Sequence, residues 1–122
     1  MITLKTLPQA TAQEVFDQIT QHLLRQGKAA KSTTGACRYR AETGKGVLKC
    51  AAGCLIAEDE YSEAFEGKPW YWLVNSGEVP KENSRLIRSL QVVHDTRLPS
   101  RWPIAFKTVA DEFKLSYDHP LL

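Results

Sequence analysis

No run of apolar residues in this sequence approaches the ~20 that a helix needs to cross a bilayer, so no membrane contact is expected. The amino terminus, MITLKTLPQA, lacks the charged-then-apolar layout of a secretory leader, which points to the cytoplasm of its cell or host. Cysteine is scarce and odd in number: three residues, Cys37, Cys50 and Cys54, make no disulfide framework and are expected as thiols. There is no C-x-x-C knuckle. ETGKG, residues 42–46, has glycines and a lysine but neither the spacing of a phosphate-binding loop nor the helix that must follow one. A net charge of only +2 falls well short of a dedicated nucleic-acid binder. No repeat or low-complexity tract is present.

What remains is an ordinary globular composition: 122 residues, 43% hydrophobic and 25% charged, one domain's worth (1–122) with enough chain to bury a core. The charge is unevenly placed. Arg25 to Lys49 carries seven bases and one acid, Glu42, whereas Glu58 to Glu66 carries five acids and no base. Such a split is two solvated faces or a bipolar docking surface.

Thr11 and Glu14 form a capping-box pattern ahead of Val15, Phe16, Ile19 and Leu23 at helical spacing, with Gly27 as a stop, so residues 11–26 are a helix. CRYRA and GVLKC flank ETGK and predict a hairpin. A four-residue loop at 42–45 would place Cys37 opposite Cys50. AAGCLI suits a short buried helix whose small residues let another backbone approach. PWYWLVNSG fits a helix from Pro69 or, equally, a strand. Asn83 or Ser84 caps a helix to about Thr96, and Ser100 caps a last helix with Pro103 in its first turn. The tail SYDHPLL is expected to order only by docking. The fold class is α+β: a short antiparallel hairpin, about residues 36–50, against about four α-helices, extended at most by a third strand. The alternative is a mainly α fold with an appended hairpin.

Three chemistries compete for the cysteines and histidine. Packing alone is one, since free cysteine is among the most buried residue types. Zinc is another, with Cys37, Cys50, Cys54 and His94 as a Cys₃His set. The third is a cysteine hydrolase or transferase, with Cys50 as nucleophile at a helix mouth and His94 as base. Asp95 is adjacent to His94 on its helix, so it is expected to face elsewhere and not to orient the imidazole. Arg38, Arg40 and Lys49 alternate along the hairpin and could clamp phosphate, nucleic acid or an acidic partner. Trp70, Tyr71 and Trp72 cannot all point inward from one short element, which makes Trp70 and Trp72 candidate interface anchors.

Cys37, Tyr39 and Arg40, then Lys49, Cys50, Ala51, Gly53, Cys54, Leu55 and Ile56, then Tyr61, Leu90, Gln91, His94, Asp95 and Trp102 follow a pattern. It runs C-x-Y-R, K-C-A-x-G-C-L-I, an acidic segment ending in tyrosine, L-Q-x-x-H-D and a terminal helix with tryptophan. It resembles a family of small proteins of bacteriophages, prophages and bacteria, over roughly residues 11–115. The resemblance implies a mobile-element origin and, by analogy with other small phage proteins, inhibition of host machinery such as antiviral defence. The expected function is therefore non-enzymatic binding to a host protein or nucleoprotein without a cofactor. The cysteine enzyme and a zinc-stabilised binding module are the alternatives.

Overall fold

The computed structural model describes residues 1–117. Residues 118–122, most of the tail expected to order by docking, lie outside the described residues. Its first residues are held in place: the Ser116 N–H donates to Gln13 Oε1 at 2.9 Å, and the Tyr117 ring meets Phe16 and Phe106 edge-on.

The helix expected over 11–26 is α1, Ala12–Gln26. Its capping box is complete: Thr11 accepts from the Glu14 N–H, Glu14 accepts from the Thr11 N–H, and Gly27 closes the other end in the left-handed region. A two-stranded antiparallel hairpin follows, β1 (Arg40–Thr43) and β2 (Gly46–Lys49), within the expected span. α2 (Trp70–Asn75), α3 (Ser84–Thr96) and α4 (Trp102–Phe113) complete the set, and the architecture is α+β. PWYWLVNSG is thus helix, not strand. The third strand reduces to one isolated bridge between Lys31 and Cys37.

Helix α3 is the centre of the packing, touching α1, α2 and α4. Its buried stripe, Leu86, Ile87, Leu90 and Val93, meets Phe16, Ile19 and Leu23 of α1 and Trp102, Phe106 and Val109 of α4 in one core. Each such side chain, removed from water, contributes roughly 1.5–3 kcal/mol.

Three local expectations are corrected. The hairpin register pairs Arg40 with Lys49 and Thr43 with Gly46, so the turn is the two residues Gly44-Lys45. Thr43 Oγ1 decides this by accepting from the Lys45 N–H and donating to the Gly46 carbonyl. Cys37 and Cys50 are therefore not cross-strand partners. Ser100 does not cap α4: it lies in a 3₁₀ turn, Pro99–Arg101, and Arg101 holds the cap position. Asn83 stands at the start of α3 without capping it, and its amide reaches the Ala10 carbonyl instead.

AAGCLI forms a 3₁₀ turn, Ala52–Leu55, packed against α1, α3 and β2. The small residues do admit a backbone. A Cβ at Gly53 would fall inside the Tyr39 carbonyl, so only glycine fits where the turn crosses the chain entering β1.

Candidate functional site

Three layers of polar chemistry surround the hairpin. The first joins the two charged runs. Arg38 Nη2 lies 2.9 Å from Glu63 and 3.7 Å from Glu66. Arg40 reaches Glu42 and Glu58, and Lys49 Nζ reaches Glu58 at 3.2 Å and the Ile56 carbonyl. Beneath them the Glu66 carboxylate accepts from the Tyr39 and Arg40 amides and from the Tyr61 hydroxyl at 2.6 Å. The hydrogen bonds from Arg40 and Lys49 draw the Glu58 carboxyl down to about 2. The asymmetric charge is therefore engaged within the chain, and the three candidate contact bases Arg38, Arg40 and Lys49 each already hold an acid.

The second layer is a relay across α3. Gln91 Oε1 accepts from the Ala52 N–H, and its amide donates to Asp95 Oδ1 at 2.8 Å. Asp95 Oδ1 is also 2.8 Å from His94 Nδ1. His94 Nε2 accepts from the backbone N–H of Ala30 at 2.9 Å. A backbone amide can only donate, so Nε2 carries the lone pair, the proton sits on Nδ1, and Nδ1–H donates to Asp95. Asp95 does orient His94, contrary to the expectation from helical spacing. The two Cβ atoms diverge, but the carboxylate is long enough to curl back over the ring edge. Burial would raise the Asp95 carboxyl, but hydrogen bonds from His94, Gln91 and Cys37 outweigh it and hold it below its ordinary value.

This relay decides the cysteine chemistry. Cys50 is buried, its sulfur accepts from the Gly53 N–H at 3.3 Å, and burial pushes its thiol well up. Burial likewise raises Cys54 to about 12, and burial with the Asp95 contact raises Cys37 to about 11. A nucleophile needs a lowered thiol and a base with a free nitrogen. His94 is 1% exposed, and both its ring nitrogens are already bonded.

Among the described residues, the metal-type atoms that converge are those of Cys37, His94 and Asp95, within 4.8 Å of one another. Cys50 and Cys54 of the expected zinc set do not join them. The three that do converge suit a cation poorly. A metal on Nδ1 would require a proton on Nε2, where the Ala30 amide already points its own.

The third layer is a cleft of about 450 Å³ between the hairpin entry, α2 and α3. Cys37, Tyr39, Trp70 and Gln91 line it, and Lys68, Tyr71, Arg88 and Val92 stand among its walls. Trp70, expected as an exposed anchor, is buried, because it starts α2 facing Tyr39. Tyr71 and Trp72 are 49% and 43% exposed. Lys68 Nζ lies 4.5 Å from the Trp72 ring and the Arg88 guanidinium 5.2 Å from the Tyr71 ring. Lys68 and Arg88 are not singled out by the sequence, and Tyr71 only as the middle of three crowded aromatics. That crowding on one short element is the only signal for this surface.

Comparison of the chain with protein-family models, with curated proteins and with solved structures finds no match. Among the described residues, no helix is long and apolar enough to cross a membrane.

Proposed function

We propose that the chain is a small accessory protein of the phage or prophage type. It acts by non-enzymatic binding, docking on a host protein or nucleoprotein and inhibiting host machinery such as a defence system. The observation that carries this is the exposed pair Tyr71 and Trp72, each under a cation, with Tyr71 and both cations, Lys68 and Arg88, in the wall of a cleft. Aromatic residues with an arginine beside them are the usual anchors of protein interfaces.

The chemistry elsewhere supports binding over catalysis. The thiols are raised, and His94 has no nitrogen free for a substrate. Many of the residues behind the phage resemblance have structural duties. Gln91, His94 and Asp95 tie α3 to the chain around it, Gly53 admits the Tyr39 backbone, and Tyr61 bonds Glu66. A motif of that kind preserves a docked hairpin and needs no reaction centre.

The test is affinity capture from the natural host with the tagged chain and with Tyr71→Ala/Trp72→Ala, followed by mass spectrometry. A defined partner held by the wild type and lost by the variant is the expected result. The variant should melt within roughly 4 °C of the wild type, because both side chains are surface groups. A partner held equally by both, or no partner above a tag-only control, overturns the proposal.

A further inference from the structure

Building on that binding function, we infer that the cleft between α2 and α3 takes an acidic protein segment, with an apolar side chain in the cleft and carboxylates on Lys68 and Arg88. Charge is the first ground. Among the described residues, neither Lys68 nor Arg88 has an acid within ion-pair distance, unlike Arg38, Arg40 and Lys49. The one acid of the cleft wall, Asp95, stays ionised and spends its hydrogen bonds on His94, Gln91 and Cys37. Lys68 and Arg88 outnumber it, so the opening is net positive, with both cations set on aromatic rings, which favours carboxylates flanking an apolar group.

Size and polarity are the second ground. About 450 Å³ lined by Tyr39, Pro69, Trp70, Tyr71 and Val92 accepts one or two apolar side chains, within the usual range of ligand clefts.

Nucleic acid fits less well. A strand needs bare aromatic faces for its bases and a run of free cations for its backbone. Here one face of Tyr71 and one of Trp72 already lie under a cation. The bases that would extend a phosphate track, Arg38 and Arg40, are bonded to Glu58, Glu63 and Glu66.

The experiment is an ¹H–¹⁵N titration of the full chain with three probes. These are an eight-residue peptide of aspartate and glutamate around a central leucine and phenylalanine, its counterpart with lysine for every acid, and a ten-nucleotide oligothymidine. The acidic peptide should shift the amides of Lys68–Trp72, Arg88 and Val92. Lys68→Glu/Arg88→Glu should weaken it at least tenfold without a change in fold by circular dichroism, and the lysine peptide should not bind. No shift with the acidic peptide, shifts elsewhere, equal affinity in the charge-reversed protein, or a response to oligothymidine at these residues would each overturn the acidic-segment assignment. Failure here is separable from failure of the binding function itself. A host partner captured equally by the wild type and by Lys68→Glu/Arg88→Glu would leave binding standing and remove it from this cleft.

Discussion

The backbone N–H of Ala30 donates to His94 Nε2 at 2.9 Å, and this one bond fixes the proton of a buried imidazole on the nitrogen that faces Asp95. A histidine held at both nitrogens serves as a strut, joining the loop before the hairpin to α3. It also stacks on Trp102, with ring centroids 6.0 Å apart.

The strut gives the first prediction. His94→Ala leaves the Ala30 amide and the Asp95 carboxylate short of a partner and opens a cavity beside Trp102, at a cost of about 3–5 kcal/mol. Chemical denaturation measures it. The imidazole ¹⁵N shifts of the wild type should report the Nδ1–H tautomer, and zinc should leave the melting temperature where it was. A zinc-dependent rise of several degrees would contradict the tautomer assignment, because a bound metal stabilises by mass action.

The second prediction concerns Gly53. The added methyl of Gly53→Ala would strike the Tyr39 carbonyl, which is backbone and cannot rotate aside. The expected loss is about 3 kcal/mol or more, at the upper end of overpacking effects. Ala52→Gly, one residue away, should lose less, because it removes a methyl without a clash. Equal losses in equilibrium unfolding would show that the crossing is looser than described.

Much of this fold is legible in the sequence because helices announce themselves locally. The Thr11–Glu14 box, the stripe of α3 and the apolar face of α4 all lie within a few turns of chain. The hairpin's existence was legible too, but its register was not. ETGK allows a two- or a four-residue loop, and the choice rests on one hydroxyl, that of Thr43. The charged runs were visible as composition, yet nothing local says that Arg38 and Glu63, 25 residues apart, face each other. The His94–Asp95 bond was missed because helical spacing describes where Cβ atoms point and not how far a side chain reaches.

Thiol reactivity is the third prediction. Cys37 is raised to about 11 and Cys54 to about 12, with Cys50 raised as well. At pH 8 the native protein should react with a disulfide reagent on the order of a hundredfold more slowly than a free cysteine, from its thiolate fraction. Three thiols should appear on unfolding. Asp95→Asn removes a carboxylate that favours the Cys37 thiol form, so Cys37 should then react faster. A fast-reacting native thiol at Cys50 would revive the enzyme alternative.

Acid sensitivity is the fourth. Burial lowers His22, whose Nε2 lies 2.9 Å from the Lys49 carbonyl, below its ordinary 6.5, so the folded state resists its protonation. That contribution is complete above 6.5 and is lost as pH falls through the lowered folded value. Glu58 acts in the same direction further down: with a folded value of about 2 against an ordinary 4.5, its contribution is complete above 4.5 and disappears toward 2. Urea midpoints should therefore fall in two stages, the first beginning near 6.5. His22→Gln should lose the first stage and keep the second. A midpoint flat from pH 7 to 4.5 would contradict the His22 assignment, and one flat from 4.5 to 2 would contradict that of Glu58.

The fifth prediction tests what holds the acidic segment to the hairpin. Glu66, with a side chain only 9% exposed, gathers the Tyr39 and Arg40 amides and the Tyr61 hydroxyl on one carboxylate. Glu66→Ala strands three donors, and about 2–4 kcal/mol should be lost, because an unsatisfied buried donor costs more than a hydrogen bond gains. Glu66→Gln keeps one acceptor oxygen and should lose clearly less. Arg38→Glu disturbs the same cluster from its exposed side, where Glu63 and Glu66 would face a third acid. It should therefore lower the melting temperature as well as any partner affinity, against the expectation that Arg38 is free for contact. Thermal melts of the three variants, set beside the Lys68→Glu/Arg88→Glu protein, separate the two kinds of base. Those that hold the chain together should cost stability, and those at the cleft should cost only binding.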